Sequence, residues 1–310
     1  MKRSRIGLIG IGDIARKVYL PLLSQHQTVE LAGVMSASAA TVERTKATYR
    51  IPFGTTRLDE LLALGLDAVF VHSPTETHRD IAMACLRSGT AVYVDKPLSY
   101  NIGESEEMAA YAEAKGMLLA VGFNRRYAPM YQVAKAWVEE AGGIDSCGAF
   151  KHRTKLQEHD AKRTIYDDLI HMLDLLLWLG GPDAEIIGKR LRADGSGRLL
   201  DAAGMLAFGD YAGRLGKYEM VRTAGADMEK LELHGSGRSA EVLNMELAQL
   251  YAAGAAPLQR TFGSWDTVLE RRGFAGVVDH FLTCLNDPEA CGIRADLTLP
   301  THRLVERLAE

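Results

Sequence analysis

Between Arg5 and Leu23 the chain writes an apolar run, a glycine turn and an amphipathic stretch, and no other segment narrows the possible folds so far. The turn reads GIGDIA, Gly10 to Ala15, a G-x-G-x-x-A pattern. Between a strand and a helix, Gly10 permits the tight turn, Gly12 lets backbone approach a pyrophosphate, and Ala15 lets the helix pack close. The leading N–H groups of that helix, at Asp13, Ile14 and Ala15, then face the phosphates. The segment predicts a parallel sheet that carries a dinucleotide.

The following residues keep the same form. Short apolar runs at residues 5–9, 29–35, 67–72, 90–94 and 118–122 predict strands. Between them, residues 13–24, 39–49, 76–87 and 103–115 carry apolar side chains at helical spacing. Strands alternating with helices predict an α/β doubly wound parallel sheet of Rossmann type, covered on both faces. After Phe123 the rhythm changes. A helix is expected over 128–140, a strand over 144–154 and a helix over 165–179. From Ala184 to Thr261, loosely alternating runs are separated by turns reading ADGSG, YAGR, TAGAD and HGSGR, which predicts an antiparallel meander. Helices at 267–285 and 301–308 close the chain. We therefore expect a dinucleotide-binding domain over residues 1–122 and a C-terminal α+β domain, built on a mainly antiparallel sheet, over 123–310.

A formal net charge of −4, from 36 basic and 40 acidic residues, supplies no long-range field for nucleic acid or an anionic membrane surface. Any ligand site must be local. Cys85, Cys147, Cys284 and Cys291 stand far apart, with no C-x-x-C pair and no histidine at metal spacing, so neither a disulfide framework nor a metal site is expected. The basic start MKRSR leads into an apolar run broken by Gly7, Gly10, Gly12 and Asp13, without the small-residue cleavage site of a signal peptide. No later run reaches the roughly 20 apolar residues of a membrane span. A cytoplasmic location is expected.

An acid at the end of the second strand usually holds the ribose 2′-hydroxyl. Here that stretch reads VMSASAATVER, with Ser36 and Ser38 where an acid would repel a 2′-phosphate. Arg16, Arg44 and Lys46 supply positive charge nearby, so NADP is expected in preference to NAD. Further on, HSPTETH brings Ser73, Pro74 and His78 to the end of one strand, and VDKPLS brings Lys96 to the end of the next. Both are carboxyl ends of parallel strands, where ligands bind. Pro97 holds Lys96 away from helical geometry, so the lysine projects from an extended turn. In YDDLIHMLD, Asp167, His171 and Asp174 fall at helical spacings of four and three and share one face. A carboxylate one turn from an imidazole suits general acid/base chemistry, and the surrounding Leu169, Ile170, Leu173, Leu175, Leu176 and Trp178 predict a largely buried helix. The basic stretch KHRTKLQEHDAKR has two readings: a solvated loop, or a set in which Lys151, Arg153 or Lys155 selects a carboxylated or phosphorylated sugar.

Taken together, GIGDIA, SPTETH, VDKPL, GFNRRY (Gly122 to Tyr127) and the Asp167, His171, Asp174 face resemble the Gfo/Idh/MocA family of sugar and polyol oxidoreductases. The resemblance covers almost the whole chain. FVHSPTETH, DKPL, GFNRRYAPMY and KHR are most similar to the virulence-factor group called MviM, and GFNRRY with Ile170-His171 also resembles inositol dehydrogenases. The resemblance implies that Lys96 and His171 flank the reacting carbon and that Asp167 assists. It further implies that Asn124, Arg125, Lys151 and Arg153 bind a sugar-like substrate, and that the chain forms dimers or tetramers through its second domain. Two other activities stay open on the same scaffold: glycoside cleavage with tightly held cofactor, and cofactor sensing without catalysis.

Overall fold

The computed structural model describes residues 3–209 and 213–310; the first two residues of MKRSR and the first half of the YAGR turn lie outside them. Packing divides the chain into two units. One comprises the chain through Gly122 together with Val278–Leu299, the other Phe123–Val277 with Pro300–Glu310. The expected boundary at 122 is therefore one of three crossings, and the single division into 1–122 and 123–310 is corrected. The returning segment belongs to the first unit because of what it covers. Phe281 packs edge-on against Phe70 and Tyr93, at 5.2 and 5.4 Å between ring centroids. The Val121 N–H donates to Ile293 O at 2.9 Å, and His26 Nε2 meets Asp279 Oδ1 at 2.8 Å.

The sheet of the first unit has six strands: β1 Ser4–Ile9, β2 Val29–Met35, β3 Phe53–Thr55, β4 Ala68–Val71, β5 Ala91–Val94 and β6 Leu119–Val121. All neighbours are parallel and the order is β3-β2-β1-β4-β5-β6. Strands covered on both faces read as continuous apolar runs, and AVFV in β4 is buried at every position. β3 is three residues long at the edge, too short to show a period.

The second unit holds an eight-stranded sheet. Its strands are β7 Ser146–His152, β8 Ala184–Ala193, β9 Leu199–Phe208, β10 Leu215–Val221, β11 Met228–Gly235, β12 Arg238–Leu243, β13 Leu247–Ala252 and β14 Leu258–Arg260, in the order β14-β13-β12-β11-β7-β10-β9-β8. The expected meander forms in two blocks with β7 between them, antiparallel to β11 and parallel to β10. Two-residue alternation puts Ala149, Tyr218, Met220, Leu231 and Leu233 into the core. Helices Pro129–Glu139 and Ile170–Gly180 pack on this sheet, the first against β11 to β13 and the second against β7 and β10. Ile187, Leu191, Met205 and Leu215 remain exposed along β8 to β10.

The closing helices differ from expectation. Residues 267–285 break at Gly273, whose φ of +76° ends one helix turn before Phe274–Thr283 begins. The last helix starts earlier, at Ala295, and runs through Pro300 to Ala309, because one missing N–H costs less than the packing of its buried Leu304, Val305 and Leu308 contributes. Among the described residues no helix is long and apolar enough to cross a membrane.

Candidate functional site

β1 and β4 are neighbours although β2 and β3 lie on the other side of β1, so the strand order reverses between them. Ligands bind at such a reversal, beyond the carboxyl ends of the strands. Gly10 stands there with φ +87°, and a Cβ on it would lie 2.3 Å from the Ser73 nitrogen. Its N–H donates to Met35 O at 2.9 Å, which ties the turn to the end of β2. Around Gly12 the reverse holds: a Cβ would meet only His72 O, at 4.0 Å. That space is the cradle a pyrophosphate requires. The helix beyond runs from Asp13 to Gln25 with one π-turn, Ala15–Tyr19, that helical spacing does not reveal. Asp13 is exposed and paired with Arg16 and Lys17. These residues fit a dinucleotide.

At the end of β2, Ser38 caps helix Ala39–Tyr49 by accepting from the Thr41 N–H at 3.3 Å. Ser36 donates its N–H to Thr55 O. The three bases expected to attract a 2′-phosphate have surface partners: Arg16 with Asp13, Lys46 with Glu43, and Arg44 with the Thr41 hydroxyl at 3.5 Å. Such exposed pairs contribute about 0–1 kcal/mol, so a dianion can displace them.

Beyond β4 and β5 the loops are joined by His78. Its Nδ1 lies 3.0 Å from Pro97 O and its Nε2 3.0 Å from Ser73 O, and the ring is almost wholly buried. Burial pushes its pKa down, against the pull of Asp95 and the two carbonyls. His78, expected at the cofactor, thus links the turn of Ser73 and Pro74 to that of Lys96. The Lys96–Pro97 peptide is cis. The Lys96 N–H donates to Asp95 Oδ1 at 2.9 Å. Burial alone would raise the Asp95 pKa, but His72, Lys96 and His78 hold it below the ordinary carboxylate range. His72 stacks on Tyr19 at 3.8 Å, and its Nδ1 lies 3.8 Å from Asp95 Oδ2.

In the second unit a continuous helical stretch runs from Ala161 to Gly180 with a π-turn at Ile165–Leu169. Asp167 is partly exposed, 3.8 Å from Arg163 Nε, while His171 is 8% exposed. Asp174 is committed elsewhere: both oxygens accept from Arg126, at 2.9 and 2.5 Å, and Oδ1 also accepts from the Thr301 hydroxyl. The helical spacing of Asp167, His171 and Asp174 does not foretell that Asp174 is held by Arg126 and Thr301.

Beside this helix lies a buried ion cluster. Lys151 on β7 and Glu229 on β11 are cross-strand partners. They continue the parity of Cys147 and Ala149 on one strand and of Leu231 and Leu233 on the other. Charge thus takes two positions where alternation leads one to expect apolar side chains. Lys151 is 2% exposed, lies against Asp168 and is 3.7 Å from Glu229. Arg125 grips Glu229 through Nε and Nη2, at 2.8 and 2.9 Å, and Arg153 contacts the same carboxylate. Arg222 holds Asp168. Burial would raise both carboxyl pKa values, but the surrounding cations hold them down. Asn124 donates to Arg272 O at 2.8 Å. Lys155 is exposed, so the basic stretch is neither wholly a solvated loop nor wholly a site. Asp168, Arg222, Glu229 and the pairing of Arg126 with Asp174 escaped the sequence reading, since each contact spans 17 to 104 residues.

The cysteines are buried free thiols. Contrary to their sequence spacing, His280, Cys284 and Cys291 come together within 4.8 Å. His280 Nε2 already accepts from the Gly292 N–H at 2.9 Å, which uses the lone pair a metal would need.

Residues 4–123 match the family model described as oxidoreductase family, NAD-binding Rossmann fold, named GFO_IDH_MocA, and residues 129–252 match that of the YceM-like C-terminal domain. Along 99% of its length the chain is 35% identical to the protein YceM of Salmonella typhimurium, covering 98% of it. The chain belongs to the Gfo/Idh/MocA family of oxidoreductases. Within that family it is similar to the solved dehydrogenase MviM of Clostridium difficile, with a TM-score of 0.91 and 30% identity over 99% of both chains. It is also 31% identical to the Bacillus subtilis scyllo-inositol 2-dehydrogenase (NAD(+)), over 59% of this chain and 54% of that one. This Gfo/Idh/MocA member is thus an NAD(P)-binding oxidoreductase.

Proposed function

We propose that the chain is an NADP-preferring oxidoreductase that moves hydride between nicotinamide and a CH–OH carbon of a sugar, polyol or oxidised derivative. The observation that carries this reading is the place of Lys96, directly after β5 on the ligand edge of the parallel sheet, in the loop that His78 joins to the loop beside Gly10. When bound, the nicotinamide accepts or returns the hydride. His171 takes the hydroxyl proton, Lys96 polarises the oxygen, and Asp167 orients the imidazole. Substitution Lys96→Met or His171→Ala should lower turnover by at least about a hundredfold while cofactor affinity stays nearly unchanged. Loss of cofactor binding in both variants, or unchanged turnover, would sink the assignment. Substrate conversion without net reduced nicotinamide would favour the glycoside-cleavage activity instead.

The NADP preference rests on the missing acid after β2, on Ser36 and Ser38 at a helix start, and on the weakly held bases around them. One good contact to a charged group contributes about 1.5–3 kcal/mol, enough for at least about tenfold discrimination. Comparative titration of the two cofactors measures it, and tighter binding of NAD would overturn it. For assembly, the exposed Ile187, Leu191, Met205 and Leu215 support a homodimer or tetramer through the mixed sheet. Light scattering on the purified chain tests this, with a monomer as the contrary result.

A further inference from the structure

The ion cluster of the second unit opens on a cleft of about 390 Å³ lined by Arg153, Asp227, Glu229, Asn244, Met245, Glu246 and Arg272. Its charges do not balance. Six basic side chains, Arg125, Lys151, Arg153, Arg222, Arg271 and Arg272, gather around four carboxylates, those of Asp168, Asp227, Glu229 and Glu246. The four carboxylates are all engaged within the protein. Glu229 is shared by Arg125, Arg153 and Lys151, and Asp168 by Lys151 and Arg222. Asp227 accepts from the Thr154 N–H at 2.8 Å and its hydroxyl at 3.0 Å, and Glu246 accepts from Arg271 at 2.8 Å.

Of the six bases, Arg125, Lys151 and Arg222 are buried against the buried Asp168 and Glu229, so the buried set alone carries one surplus positive charge, and a purely structural network gains nothing from such a charge unless an opposite one compensates its desolvation. Three buried polar atoms are also left over, Arg271 Nε among them. Among the described residues the Tyr131 hydroxyl and Arg222 Nε have no hydrogen-bond partner, although Tyr131 lies within the fields of Glu229, Arg125 and Arg272. Lys151 registers the same surplus. Burial first, and then the neighbouring Arg125, bring its pKa down to about 8 despite the carboxylates beside it.

We propose that this cleft binds an anionic group of the substrate, a carboxylate or a phosphate, with Arg153 and Arg272 as its contacts and Arg125, Lys151 and Arg222 as the supporting positive field. The substrate class is then sugar acids or sugar phosphates, as opposed to neutral polyols. This specificity rests on the hydride-transfer reading above; the anion site itself does not.

Two arms separate them. In the first, inorganic phosphate and acetate are titrated calorimetrically into the full chain, and into its Arg153→Gln and Arg272→Gln variants, without cofactor. We expect saturable binding of one anion, weakened about tenfold in each variant. Which anion binds distinguishes phosphate from carboxylate. Equal affinity in all three proteins, or no saturable binding of either anion, overturns the site. Because Arg153→Gln disturbs Glu229, Arg272→Gln, whose side chain has no part in the buried pairs above, keeps the test decisive if the first variant misfolds. In the second arm, a sugar acid and a sugar phosphate are each compared with the neutral parent as substrates, with both cofactors. We expect kcat/KM to favour a charged member by at least about tenfold and the advantage to shrink in the arginine variants. Neutral parents turned over at parity would overturn the specificity while hydride transfer stands. Arginine-dependent anion binding with no turnover of any compound would overturn hydride transfer while the anion site stands.

Discussion

At the end of β1 the protein offers a ligand mostly backbone, whereas at the ends of β7 and β11 it offers almost only side chains. Around Gly10 and Gly12 the shape of the main chain makes the cradle, and its nearest charged side chain, Asp13, is turned to Arg16 and Lys17 at the surface. Around Glu229 and Asp168 the strands serve as a platform for charged groups that only distant partners make tolerable. The first kind of site fits phosphates through the shape of its backbone. The second, as the anion site proposed above, would discriminate by charge, and its buried ion pairs are costly to leave with one member missing.

This contrast can be broken by experiment. Its largest expected effect is at Asp174. The change Asp174→Ala leaves the Arg126 guanidinium buried without its partner and removes the acceptor of the Thr301 hydroxyl, so urea denaturation should show a loss of about 3–5 kcal/mol. A loss below about 1 kcal/mol would mean that the side-chain region tolerates missing members after all. Gly10→Ala should cost somewhat less, about 3 kcal/mol, from a left-handed backbone angle and the approach of the new methyl to the Ser73 nitrogen. Nicotinamide fluorescence should show cofactor binding abolished in the same variant; a stable protein that still binds would remove the claim that backbone shape makes this site.

The smallest effect is a pH dependence. Lys151 has a folded pKa of about 8 against 10.5 for an ordinary lysine. Between these values the unfolded chain holds a proton that the folded chain has released, so stability rises with pH across that window. From pH 7.5 to 9 the rise from this residue is about 1 kcal/mol. The difference in denaturation slope between the parent and Lys151→Met isolates it. An identical slope in both proteins would place the surplus charge elsewhere in the cluster.

The same contrast governs what could be read from the chain before its fold was known. GIGDIA, the alternation of strands and helices, and the strand ends carrying Ser73 and Lys96 are local patterns, and each stands where local spacing puts it. The mixed sheet was legible as alternation but not as order, because nothing near Ser146–His152 tells β7 to enter between β10 and β11. Asp174 and Asp168 show the limit most sharply. Asp174 sits at ideal spacing from His171, yet a guanidinium 48 residues away holds it. Asp168, next to Asp167, has no local sign of its partners, Lys151 and Arg222, which lie 17 and 54 residues away. A π-turn adds one residue to a helical turn without any residue type that announces it.

The return of Val278–Leu299 to the first unit sets a timetable for synthesis. A ribosome that has delivered Gly122 has made every strand of the parallel sheet, but the segment bringing Phe281 over Phe70 and Tyr93, and Ile293 to β6, is still far behind. At 5 to 20 residues per second the nascent sheet waits roughly ten to thirty seconds with that aromatic surface open to water. Chaperones that bind exposed apolar surface therefore have their opening in this interval, and pausing in the second half of the message would lengthen it.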